Sequence, residues 1–233
     1  YKGHEDLLVN PEDVTLPPYY KDTPEARKCM ARMLSNVQLM DYQVGEIIQQ
    51  LKKDGVYDNA YIFFFSDHGG TMPWMKREIL ERGTHIPFIV KFPKGKNAGT
   101  INTDLISSVD FAPTILSLAG IDIPDYMQGQ AFLGKQSSSE KRRYIFAARD
   151  RMDECYDRVR SVRDKRFRYI YNFMPEQPKY MDVSYRRNLP MMNEILELHA
   201  KGLLNEYQDD WFKPTKPVEE LSLIHISEPT RPY

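Results

Sequence analysis

The chain has 233 residues, 41% of them hydrophobic and 28% charged, which is enough to bury a sizeable core and excludes a disordered chain. Its formal net charge is −1, and no basic tract with interleaved aromatics stands out over residues 1–220, which argues against a nucleic-acid partner. No apolar run reaches membrane-spanning length, the first residues do not read as a signal peptide, and two cysteines, Cys29 and Cys155, make no disulfide framework.

Residues 1–21 are rich in Pro and acid and end in Leu16-Pro17-Pro18-Tyr19-Tyr20, the pattern of an extended surface segment. Thr23 is placed to cap a helix, with Pro24 at its first position and Glu25 near its positive end. Ala26, Met30, Met33, Val37, Met40, Val44, Ile47 and Leu51 recur at alternating spacings of four and three, which predicts one long helix packed by its apolar stripe on a sheet and stopped at Asp54-Gly55. Cys29 falls in this pattern as a buried structural thiol.

Residues 61–70, YIFFFSDHGG, form an unbroken aromatic-rich run that predicts a strand buried on both faces. Ser66, Asp67 and His68 fall at its carboxyl end, where ligands bind in open α/β sheets. Asp67 brings a hard anionic oxygen and His68 a neutral nitrogen, a combination that suits a divalent cation, and Gly69 and Gly70 let the backbone approach it. Taken alone, the Asp-His pair is better accounted for by an ordinary strand-to-loop turn. Residues 71–82 read as a loop and short helix carrying Lys76 and Arg77, and on spacing alone Lys76 is a solvated surface lysine. Glu81 reads either as a surface acid or as a partner of Lys76.

Residues 85–92 predict a second strand, 104–107 a short third one, and 109–120 a helix stopped by Gly120. The polar, serine-bearing stretch 136–143 reads as a linker that divides a unit at 1–135 from a second at 136–220. In the second unit, 144–148, 159–162 and 167–173 predict antiparallel strands, with a turn at Asp164-Lys165. The run Arg149 to Glu154 between the first two is too charged for a core and has the character of a solvated face. Residues 190–204 predict a final amphipathic helix, in which His199 is a surface or packing residue.

Residues 41–93, with SDHGG followed by MKREILERGTHIPFIVKFP, resemble the central portion of the formylglycine-dependent (type I) sulfatases of the alkaline phosphatase superfamily. Glu81, Gly83 and Pro87 keep the family's offsets from Lys76, with His85 in place of the usual Arg. The spacing from Asp67 to Lys76 is similar to that of the N-sulfoglucosamine sulfohydrolase branch. An R-x-V-R-x-x-x-x-[KR]-Y-I-x-N pattern in the second unit fits from Arg160 to Asn172.

The resemblance implies an α/β fold: the carboxyl-terminal part of an alkaline-phosphatase-like mixed sheet flanked by helices, then a small antiparallel-sheet subdomain with a C-terminal helix. It implies one calcium ion at Asp67 and His68, Lys76 as the catalytic clamp on the sulfate, and His85, Arg149, Arg151 and Asp153 as substrate contacts. The expected activity is hydrolysis of sulfate esters or sulfamates on carbohydrate, and the expected location is periplasmic or secreted. Neither cysteine satisfies the family's C-x-[PA]-x-R nucleophile motif, since Arg32 comes one place early after Cys29 and Cys155 lacks both features. The chain alone is therefore expected to be inactive. His4 lacks the context of the family's catalytic histidine. Residues 221–233, LSLIHISEPTRPY, resemble the translation of a sequencing adapter and are set aside as a non-native tail, His225 with them.

Two other functions compete. A two-metal phosphodiesterase or phosphatase of the same superfamily shares the Asp-His-Gly strand end but needs a further downstream histidine. A non-catalytic binding module on the sulfatase scaffold is the alternative from a different class.

Overall fold

The computed structural model describes residues 2–224. Helix α1 (Pro24–Lys53) starts where Thr23 Oγ1 accepts from Ala26 N at 3.1 Å. It stops at Gly55, whose φ of 70° suits glycine. Only its first half is covered. Ala26, Cys29, Met30, Ala31 and Ser35 are buried against α5 (Pro190–Ala200), which supplies Met191, Met192 and Ile195. Val37, Met40 and Ile47 are exposed. The stripe thus packs on a helix rather than on the expected sheet, and it outlasts its partner because α1 has 30 residues and α5 only 11.

The main core is aromatic: Trp74 packs at a tilt against Trp211 with ring centroids 4.4 Å apart, and Tyr19, Tyr20, Tyr180 and Phe212 surround them. The expectation of an extended surface segment over residues 1–21 therefore holds only in part. Two short 3₁₀ turns interrupt it, and Val14, Tyr19 and Tyr20 are buried, because Tyr20 hydroxyl donates to Pro73 O at 2.6 Å and draws the segment inward.

Strands β1 (Ile62–Phe65) and β2 (Phe88–Lys91) pair antiparallel, Ile62 opposite Lys91 and Phe65 opposite Phe88. Phe111 of α3 (Phe111–Ala119) covers one face, 4.9 Å from Phe65 and 5.0 Å from Phe88 between centroids. The predicted burial on both faces is not found: β1 is half-buried and Phe65 and Ile89 are exposed, since two strands and one helix leave the other face uncovered. Residues 104–107 form no strand; Asp104 is instead held at 2.8 Å by Lys141. Asp110, 2% exposed, accepts from Ser107 N and Gln130 N and pairs with Arg142, tying the linker back to α3.

The second sheet is a meander, β3 (Ile145–Met152), β4 (Cys155–Arg163), β5 (Phe167–Asn172) and β6 (Glu219–Leu223), all antiparallel. The run 149–154 is strand and hairpin tip rather than a connecting loop, with a register shift between Arg149 and Arg151 and a positive φ of 48° at Asp153. The stretch set aside as a tail begins inside β6, where Leu221 pairs with Tyr169 and Leu223 with Phe167. Alternation in Leu221-Ser222-Leu223 suffices for that pairing whatever the origin of the residues. His225 lies outside the described residues.

Candidate functional site

β1 delivers Asp67 and His68 to its carboxyl end, where Ser66 Oγ donates to His68 O at 2.6 Å and tightens the turn. His68 Nδ1 lies 2.7 Å from Gly69 O. A carbonyl only accepts, so this hydrogen bond assigns a proton to Nδ1, and Nε2 carries a lone pair whenever the ring is neutral. Nε2 lies 3.5 Å from Asp67 Oδ2. Two electron-rich atoms so placed repel unless a proton or cation lies between them. The donor set therefore fits two ligands of a divalent ion, and Asp67, 82% exposed at its side chain, is open to receive one. Among the described residues no group of three or more His, Cys, Asp or Glu stands ready to complete such a site.

The following loop is closed at its base. Gly69 N donates to Gly83 O at 3.0 Å, and a Cβ on Gly69 would lie 1.7 Å from Arg82 O, so only glycine permits the approach. Within the loop Lys76 N donates to Gly70 O at 2.9 Å. Trp74 and Arg77, on either side of Lys76, have φ of 62° and 72°, left-handed values that bulky residues hold only under tertiary constraint. Trp74 is locked in the aromatic core. Arg77 pairs with Asp153 at 2.8 Å and sits 4.4 Å above the Tyr185 ring of α4 (Ser184–Arg187), where Lys76 Nζ also lies, 5.4 Å from the centroid. No hydrogen bond or ion pair joins Lys76 to Asp67 among the described residues.

Beneath the loop runs a buried chain of charges. Lys216 pairs with Asp157 at 2.5 Å, Asp157 with Arg149, Arg149 with Glu78 at 2.9 Å, and Glu78 with Arg186. Burial alone would lower the Arg149 guanidinium, but Glu78 and Asp157 outweigh it and hold the group above its ordinary value. Arg149 is therefore turned inward, its charge taken up by two carboxylates, rather than offered at a rim. Arg151 is exposed, over Tyr156 at 5.1 Å, and Asp153 is engaged with Arg77.

Glu81 is buried and bidentate with Arg163, at 2.6 and 3.0 Å, so it is not a surface acid. His85, exposed, lies 3.6 Å from the same carboxylate. Cys29 is buried in α1, where burial pushes its thiol up, and Cys155 is raised by the same cause. His199 pairs with Asp209 and stacks on Phe212, and His4 packs on Tyr42. Sequence reasoning missed Glu78, Asp157, Tyr185, Arg186 and Lys216. Asp157 carried a signal: it alternates with Val159 and Ser161 on the inner face of β4, where a charge requires a partner.

The family described as "Sulfatase" matches residues 10–121, and that described as "N-sulphoglucosamine sulphohydrolase, C-terminal" matches residues 69–199. An ulvan-active sulfatase of Formosa agariphila is 48% identical over 206 residues, covering 88% of this chain and 34% of that protein. The N-sulphoglucosamine sulphohydrolase of Homo sapiens is 27% identical over 204 residues, covering 83% and 40%. The chain thus spans between a third and two fifths of these relatives. A protein solved with its substrate D-glucosamine-2-N,6-O-disulfate shares the fold, with a TM-score of 0.57 at 23% identity over 82% of this chain and 43% of that one. The strand-end Asp-His pair, the glycine-closed lysine loop and the small antiparallel sheet are thus parts of a sulfatase, and the chain belongs to the sulfatase family of the alkaline phosphatase superfamily.

Proposed function

We propose that the protein to which this chain belongs hydrolyses sulfate esters or sulfamates on carbohydrate, with a calcium ion held in part by Asp67 and His68. The carrying observation is the pair of donor atoms Asp67 Oδ2 and His68 Nε2, 3.5 Å apart at the start of the closed loop that bears Lys76. A bound divalent ion supplies charge that neutralises sulfate oxygens. Lys76 adds a compact ammonium for the oxygens that gain charge as the S–O or S–N bond breaks. His85 and Arg151, both exposed, are the side chains freest to meet the group that carries the sulfate. Arg149 and Asp153 serve the site from behind, through Glu78 and Arg77.

The nucleophile is neither cysteine. Cys29 is enclosed in α1 and Cys155 stands on β4, and neither lies in the C-x-[PA]-x-R motif in which the family oxidises its cysteine to formylglycine. The chain by itself is accordingly expected to turn over no substrate. A periplasmic or extracellular location goes with the reading, because polymeric sulfated glycans lie outside cells.

The test uses the complete enzyme that contains this chain, calcium titration and a sulfated monosaccharide. Asp67→Ala should lose both metal and turnover. Lys76→Ala should keep the metal and lose turnover by about a hundredfold or more, the size seen when one charge-stabilising donor is removed. Turnover that survives in both variants would refute the assignment.

A further inference from the structure

We propose that the carboxyl-terminal unit is the positioning frame of Lys76, acting at the rim through the Arg77–Asp153 pair and the ring of Tyr185. The inference rests on the reading of Lys76 as the sulfate-holding residue and adds positioning residues to it.

Lys76 sits between two residues in left-handed backbone, Trp74 and Arg77. Such a segment reverts to ordinary dihedrals unless its side chains are held. Each anchor comes largely from the second half of the chain. Trp74 is packed against Trp211, Arg77 is fixed between Asp153 of the β3–β4 hairpin tip and Tyr185 of α4, and Glu78 is gripped by Arg149 and Arg186. The three anchors flank Lys76 on both sides, within two residues of it. Tyr185 touches Lys76 as well, so one ring fixes the direction of both cationic side chains.

Asp153 itself is backbone-strained, with φ 48°, and Arg151 donates to its carbonyl oxygen. The hairpin tip is thereby presented to Arg77 in one geometry. The frame acts through Arg77, so Asp153 and Tyr185 are positioning residues and need touch no substrate.

Lys76 and Arg77 are themselves trypsin sites, which makes the frame measurable in the 233-residue chain. Cleavage after these two residues, followed by mass spectrometry, should be about tenfold faster in Asp153→Asn and in Tyr185→Leu than in the unaltered chain, because local opening governs cleavage. Asp150→Asn, which removes an exposed pair with Arg160 on the same hairpin, should leave the rate unchanged. In the complete enzyme, Arg77→Gln and Asp153→Asn should each lower kcat by about a hundredfold, as a misplacement near 1 Å does, with KM changed far less. The double variant should be no worse than either single one. Unaltered cleavage in Asp153→Asn and Tyr185→Leu, or kinetic losses that add, would overturn the frame. If the complete protein hydrolyses no sulfate, the role of Lys76 falls, while the cleavage rates still decide whether the hairpin and Tyr185 hold the loop.

Discussion

Single hydrogen bonds settle much of the chemistry at the level of the residue. Gly69 O assigns a proton to Nδ1 of His68, and the other nitrogen lies 3.5 Å from Asp67 Oδ2. Asp67, His68 and Lys76 became candidates through the resemblance carried by residues 41–93, since taken alone the pair reads as an ordinary turn and Lys76 as a solvated surface lysine. The pairing of Glu81 with Arg163 was not legible, since the two are 82 residues apart and only folding brings them together. Buried phenols give a pH consequence. Burial, and then the hydrogen bond to Asp182, push Tyr180 up to about 12, and burial raises Tyr20 well above its ordinary value. Both folded values exceed the unfolded value of about 10, so the stability they contribute is complete below that pH and is lost as pH rises through the folded values. An alkaline titration followed by tyrosinate absorbance and circular dichroism should show a delayed class of tyrosines whose ionisation accompanies unfolding. All tyrosines ionising together near pH 10 in a folded chain would contradict it.

Among the elements, α1 and β1 show how periodicity specifies a structure without specifying what covers it. The stripe of α1 correctly forecast the helix and its ends, yet nothing in its spacing distinguished α5 from a sheet as the partner. The YIFFF run likewise forecast β1, while the burial of its second face depended on neighbours that its own residues do not encode. The loop between β1 and β2 depends on Gly69 and Gly83, for both of which an added Cβ would meet backbone, at 1.7 and 2.0 Å. Gly69→Ala should therefore open the base of the loop and destabilise the chain by about 1–3 kcal/mol, measured by urea denaturation. Gly45→Ala, where nothing lies within 4 Å in the middle of α1, should be neutral or slightly stabilising. Equal stability of the two variants would show that the loop is not closed in this way.

The whole molecule is joined by charge as much as by apolar contact. Lys216, Asp157, Arg149, Glu78 and Arg186 link β3, β4 and α4 to the loop that carries Lys76, across the linker that the sequence marked as a boundary. Buried pairs of this kind add little net stability but punish the loss of one partner, which favours a fixed arrangement over a loose one. The division at residue 136 was read from composition, which reports where the chain is polar and not what packs across it. Those charges sit behind a single proposed centre, and its geometry can be observed directly. The decisive measurement is a crystal structure of the complete enzyme with calcium and inorganic sulfate, with the metal identified by anomalous scattering. The account predicts a calcium ion about 2.3–2.6 Å from a carboxylate oxygen of Asp67, with His68 Nε2 turned to it and Lys76 Nζ on an oxygen of the same sulfate. A sulfate bound by other residues, with Asp67 and Lys76 reaching no common ligand, would contradict it.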